Sequence, residues 1–273
     1  MEGAVVRCPQ QYEGATLPSG KKTATRSARS ASPAGSAKSV ALQVEGIGVP
    51  VEVRRHHAAR RFTLRVSKTR RAVVVTMPPR ARMDDAGIFL NKHIDWVRER
   101  LGNVPECVPF APGSVVPLRG RPHRVAAIAA ERGQPIVTVD EAAGAARLLV
   151  AGRVEHVPRR LKDWLLEQAK ADLDERVSFH AKTMGVRLRR ICLRDQQTRW
   201  GSCSASGVLS FSWRLILAPP FILDYVAAQE VAHILEMNHG PRFWKLVDRA
   251  VPRLEEAKAW LRHEGSDLHR YGA

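Results

Sequence analysis

The chain reads as α+β, with a β-rich region in its first half and helices packed on a small sheet in its second. Two patterns predict this. Short apolar runs punctuated by Gly and Pro occupy residues 40–152, whereas from Pro158 onward apolar residues return every four positions over a long stretch. With 273 residues, 44% of them hydrophobic, the chain has apolar surface for one large core or two small ones. The expected division is a basic tail over 1–39, a β-rich region with one helix over 40–152, and a helical domain on a small sheet over 153–273.

From Thr16 to Ser39 the sequence is Ser, Ala, Gly, Lys and Arg with almost no large apolar residue, so it cannot offset its ordering entropy and is expected to be a disordered tail. Its Arg- and Ser-rich, acid-poor character resembles an organelle transit peptide without the amphipathic helix. A plain tail, or a start codon placed too early, ranks above targeting. No apolar run approaches the ~18 residues that span a bilayer, and the first twenty residues lack a basic-then-apolar signal pattern. No membrane is expected, and the expected location is cytoplasmic. The four cysteines, Cys8, Cys107, Cys192 and Cys203, include no C-x-x-C pair and read as free thiols. Net charge is +17, and residues 1–39 hold six Lys/Arg against two Glu, so most of the basic balance belongs to the rest of the chain. That balance suits a polyanion, nucleic acid above all, although a scattered solvated surface gives the same count.

Strand signals start at Val40 and run through Val49 to Val53. Phe62, Leu64 and Val66 then alternate with Thr63, Arg65 and Ser67, and a turn over Ser67–Arg70 leads into Ala72–Met77. Arg60, Arg61, Arg65, Lys68, Arg70 and Arg71 make this hairpin basic. Pro78-Pro79 stops it, and Asp84 or Asp85 can cap one helix carrying Leu90, Ile94, Val97 and Leu101, with Trp96 on its flank. After a linker from Pro105 to Gly113, short strands around 115–118, 124–128, 136–139 and 148–151 predict a β-meander, with no longer repeat period. The pair His56-His57 has no partner spacing that would make it a ligand set.

In the second half, Leu161, Leu165, Ala169, Leu173, Val177 and Ala181 predict a long helix ending at Gly185. Strands around 188–193 and 208–213 bracket Arg199–Cys203. Pro219-Pro220 opens a helix in which Ile222, Tyr225 and Val226 face inward while Gln229, His233 and Glu236 share another face, ending near Met237-Asn238. Asn238-His239-Gly240 suits a tight reversal. Phe243, Trp244 and Val247 pack the next helix, and a last one spans about 253–263.

Gln229-Glu230-Val231-Ala232-His233 has the form of an H-E-x-x-H helix with its first position changed. In such a helix residues i and i+4 share a face, so two imidazoles can hold one zinc while the Glu works on bound water. His233 keeps the second ligand position, Glu230 the general base, and His239 is placed to return as a third ligand. These five residues taken alone favour an ordinary amphipathic helix that carries a Glu and a His.

Three segments carry a resemblance to a known family: Arg199-Trp200-Gly201-Ser202-Cys203; Phe211-Ser212-Trp213-Arg214-Leu215 with Pro219; and Tyr225-Val226 through Asn238-His239 to Phe243-Trp244. In these the chain resembles the YgjP-like zinc metallopeptidases and, more loosely, the SprT-like proteases, strongly over about 160–263 and by pattern only over about 40–152. It departs from the family at Gln229, where the family has His, and at Ser212, where it usually has Asn. The resemblance implies a zincin-like domain over 153–273, zinc held by His233, His239 and the residue at position 229, Glu230 as the catalytic base, and Arg199, Trp200 and Arg214 toward the substrate. It also implies peptide or protein substrates.

Three functions follow as expectations. The first is a zinc-dependent, metallopeptidase-like hydrolase with a degenerate metal site, zinc being weak or absent if Gln229 cannot ligate. The second is a metal-free pseudoenzyme binding nucleic acid or protein through its basic surface. The third is a metal-dependent nucleoside triphosphate phosphohydrolase in which Arg199 or Arg214 holds phosphate. Glu236, one turn from His233, and the more distant His263 and His269 are the available surrogate ligands.

Overall fold

The computed structural model describes residues 5–7, 39–42, 47–67, 72–102, 106–141 and 146–272. The expected tail and the basic turn after Ser67 fall largely outside these residues. The chain forms two units, one of residues 11–105 and one of residues 1–10 with 106–273.

In the first unit, β2 (Ser39–Leu42), β3 (Val51–Arg55), β4 (Thr63–Ser67) and β5 (Ala72–Met77) form a sheet of order β2-β3-β5-β4. β5 is buried along almost its whole length, as a run of Ala, Val and Met requires of a central strand, and it pairs parallel with β3 and antiparallel with β4. Val51, Val53, Val73, Val75 and Met77 make a core with Ala86, Leu90 and Val97. The sequence periodicity predicts one continuous helix here, whereas the chain breaks at His93 into α1 (Met83–Lys92) and α2 (Ile94–Gly102). His93 leaves helical geometry (φ −115°, ψ 18°), and its ring sits edge-on to Phe89 at 4.8 Å. Asp85 serves the start of α1 by accepting from the backbone N–H of Arg82 at 3.0 Å.

The second unit holds two sheets. β6 (Val115–Leu118), β7 (Arg121–Ile128), β8 (Val137–Asp140) and β9 (Arg147–Ala151) take the order β6-β7-β9-β8. A meander would pair each strand with the next. Instead β9, whose Leu148 and Val150 are fully buried, lies between β7 and β8, parallel to the former. Apolar density puts β9 in the middle, a ranking that strand periodicity alone does not supply.

α3 (Val157–Met184) buries the expected stripe from Leu161 to Ala181 and stops at Gly185, whose φ of 68° is the left-handed cap that glycine takes most easily. The other sheet, β1-β11-β12-β10, comprises β1 (Val5–Arg7), β10 (Arg190–Arg194), β11 (Arg199–Cys203) and β12 (Val208–Ser212). A buried 3-10 segment, Trp213–Leu217, leads to α4 (Pro220–Ala232), followed by α5 (Pro241–Ala250) and α6 (Leu254–His263). One core joins the β6–β9 sheet to these helices through Val125, Leu148, Leu165, Phe211 and Val226. The architecture is thus mixed α+β with several small sheets, and β-rich and helical halves do not separate cleanly.

α4 departs from its expected amphipathic pattern. Apart from Asp224 and the first residues, it is buried on every side, including Gln229 and Glu230. A helix buried all round is a core helix. It also ends earlier than Met237-Asn238: His233 is its cap, after which Ile234 and Leu235 donate to Val231 and Ala232 in 3-10 fashion at 3.0 and 3.1 Å.

Candidate functional site

The end of α4 brings His233 and His239 together. His233 is fully buried and His239 is exposed, so the pair spans the boundary between core and solvent. Their Nε2 atoms are 2.9 Å apart. Nδ1 of His233 donates to the carbonyl of Glu236 at 3.1 Å, which directs its Nε2 lone pair at His239. In this arrangement Nε2–H of His239 donates to Nε2 of His233. Phe243 of α5 stacks on the His233 ring (4.4 Å between centroids, 24° between planes) and Trp244 flanks His239, so α5 fixes both imidazoles. Burial and the neighbouring His239 push the His233 pKa down to about 4, and burial lowers that of His239, keeping both rings neutral as metal ligands must be.

Gln229 lies one turn before His233, 2% exposed, and its Oε1 is buried without a hydrogen-bond partner. Glu230 is fully buried and both its carboxylate oxygens are unpartnered. Loss of hydration raises its pKa well above the usual carboxylate range, and Arg199 opposes this only in part. Gly201 makes room for it: a Cβ there would stand 2.5 Å from Oε1 of Glu230. The glycine of Arg199–Cys203 therefore serves a close approach of strand β11 to α4. Cys203, on the same strand, is buried, and burial together with Glu230 pushes its thiol up to about 11, so it stays a protonated core residue.

Of the residues expected toward a substrate, Arg199 is half-buried and donates to Oε1 of Gln196 at 2.9 Å. Trp200 is 1% exposed and stacks on His269 at 5.3 Å. Arg214 is buried, its guanidinium engaged by Asp195 and by the carbonyls of Leu268 and Tyr271. Arg214 and His269 thus tie the segment Leu268–Tyr271 behind Trp200. The structure does not bring His269 or His263 to the histidine pair through any contact: His269 faces Trp200, and His263 is exposed at the end of α6. Glu236 turns its carboxylate to Arg242 at 3.9 Å. Sequence reasoning missed Gly201 and the Arg214 clasp. The signals were there, a glycine inside a strand and an arginine in an apolar run, but their contacts come from residues far along the chain.

Among the described residues, no group of three or more His, Cys, Asp and Glu side chains is placed to hold a metal ion. Two imidazole nitrogens bound to one tetrahedral zinc at ~2.05 Å would stand ~3.3 Å apart, so the 2.9 Å pair needs a slight opening and the move of the His239 proton from Nε2 to Nδ1. Oε1 of Gln229, an orphaned oxygen on the same helical face as His233, is the available third donor. The residues present fit a divalent ion held by two nitrogens and an amide oxygen, a weaker set for zinc than three imidazoles.

α4 thus ends at His233, which meets His239, and buries Glu230 one turn earlier. Residues 60–264 match the YgjP-like metallopeptidase domain, and the chain belongs to that family. No curated protein and no solved structure matches the chain. Among the described residues, no helix is long and apolar enough to cross a membrane.

Proposed function

We propose that this chain is a zincin-like, metal-dependent hydrolase acting on peptide bonds, with its metal affinity lowered by Gln229. The observation that carries the reading is that the helix turn leading to His233 buries polar atoms without partners: Oε1 of Gln229 and both oxygens of Glu230. Each such atom costs about 1–3 kcal/mol if nothing satisfies it, and more for a charged group. A site that binds an ion and its water supplies those partners.

His233, His239 and Gln229 would hold the ion. When bound, it supplies Lewis acidity, polarising the scissile carbonyl and making water nucleophilic near neutral pH. Glu230 accepts the water proton at a free carboxylate oxygen and later returns it to the leaving amine. Its desolvated position makes it a stronger base than an exposed carboxylate. Gly201 lets it occupy that position, and Phe243 holds the imidazole that carries Nε2.

The phosphohydrolase alternative needs a free guanidinium. Arg214 is committed to Asp195 and two carbonyls, which leaves that role to Arg199. Zinc analysis of the protein after dialysis, with turnover of a casein-like peptide and of a nucleoside triphosphate, separates the readings. Peptide turnover that follows added zinc supports the proposal. Absence of zinc binding even at high zinc favours the pseudoenzyme, and triphosphate turnover alone favours the phosphohydrolase.

A further inference from the structure

Charge in the unit of residues 11–105 is unevenly spread. Between Glu52 and Asp84 the chain has no acidic residue, while basic residues recur throughout that stretch. The fold gathers part of this charge on one side of a sheet. Arg54 on β3 stands opposite Thr76 and Arg65 on β4 opposite Val74. Thr76 and Val74 share one face of β5, so both arginines rise from the face opposite Val73 and Val75, which are in the core. They lie two interstrand spacings apart and two residues apart along the strands, ~12 Å in all. The loop between β3 and β4 adds exposed Arg60 and Arg61 and the exposed pair His56 and His57, whose rings stack at 4.8 Å with 21° between planes.

Among the described residues of these strands, Glu52, opposite Val74, is the one carboxylate on this face, and the basic residues outnumber it. Among the described residues Arg60, Arg61 and Arg65 form no ion pair, and Arg54 donates to Oγ1 of Thr76. Some arginines elsewhere are matched to carboxylates, as in Arg119–Asp172, Arg147–Asp140, Arg176–Asp224 and Arg214–Asp195. A small phosphate ligand would call for donors that converge on one point. Spaced guanidinium groups beside an aromatic pair suit a chain of phosphates carrying unstacked bases.

We propose that this face and the adjoining β3–β4 loop bind single-stranded nucleic acid, with Arg54, Arg60, Arg61 and Arg65 on its phosphates and a base stacked on the exposed His56-His57 pair. Binding is independent of base sequence, because no side chain of the set is fixed to read a base edge. A duplex binds more weakly, because its bases offer the imidazoles no free face.

The test uses the full chain with a fluorescent single-stranded RNA of mixed sequence, its DNA counterpart and the corresponding duplex, titrated across salt concentrations. Replacing Arg60, Arg61 and Arg65 with Gln should lower the salt slope by about two, at ~0.7 per lost single-strand contact, and weaken binding by roughly tenfold or more. An equal charge change at Arg121, Arg132 and Arg159, exposed on the other unit, should leave the slope nearly unchanged. His56→Ala with His57→Ala should reduce the preference for single strand over duplex by about tenfold. Ultraviolet crosslinks from the unaltered chain should map to residues 54–65, a readout that needs no variant to fold. The proposal is overturned if both triple variants lose affinity alike, if duplex binds as tightly as single strand, if crosslinks map elsewhere, or if only acidic protein binds.

Discussion

In the proposed hydrolase, Gln229 is the side chain that limits how tightly an ion is held. Gln229→His should raise zinc affinity by at least the ~10- to 100-fold that changes to outer partners of a metal site already cost, and create or increase hydrolysis. Adding Glu230→Gln should abolish that activity with zinc still bound, because Glu230 acts on water and is no ligand. Zinc stoichiometry and peptide turnover of the three proteins check this. A His variant that takes up no zinc would count against an otherwise intact site. Gly201 offers an independent test. Gly201→Ala forces a methyl group against Glu230 and should cost about 1–3 kcal/mol in chemical denaturation. The penalty should shrink when Glu230 is also Ala, as a double-mutant cycle would show. His269 sets a pH dependence of stability. Burial and Arg214 hold its folded pKa down to about 4 from 6.5, so the unfolded chain binds its proton more readily. The contribution is therefore complete above about pH 6.5 and is lost as pH falls toward 4. His269→Phe should flatten the denaturation midpoint across that window.

Element by element, the sequence was most informative where periodicity is long. The stripe from Leu161 to Ala181 marks α3 almost to the residue, and Gly185 marks its end. α4 was harder, because a helix buried all round carries no amphipathic signal, and Gln229 and Glu230 read as a polar face when they are core. Its short span was also hidden, since nothing local distinguishes His233 as the cap. The pairing of His233 with His239 was legible from the motif and the Asn238-His239-Gly240 reversal, whereas the Phe243 ring between them and the core depends on how α5 returns. α4 is also tied to α3 by Asp224, which accepts from Arg176 at 2.7 Å and bonds the fully buried His180 at 2.6 Å. Asp224→Ala strands both partners and should cost about 2–4 kcal/mol by denaturant unfolding. A loss below ~0.5 kcal/mol would show that the pairing holds nothing together.

Across the molecule, the same strand plan occurs twice. β2-β3-β5-β4 and β6-β7-β9-β8 share order and orientation, antiparallel, parallel, antiparallel. No repeat period betrays this, because strand order is set by which apolar run is buried most deeply, and the two connections differ in length and composition. α+β character and the family motifs were readable; the crossing that makes β5 and β9 central was not. If Gln229 only weakens the site, excess zinc should raise the thermal midpoint of the whole chain, by about 2.7 kcal/mol of stability at a hundredfold excess over Kd. An unmoved midpoint across a wide zinc range would argue for the metal-free reading.

The clasp of Arg214 on the carbonyls of Leu268 and Tyr271, with His269 stacked on Trp200, also orders events during synthesis. Trp200 precedes the glycine that receives Glu230, yet the residues that close behind it are made some seventy positions later. A nascent chain that has already threaded α4 out of the ribosome still lacks its back wall. The packing around Trp200 and Gly201 is therefore completed only after Leu268–Tyr271 have emerged.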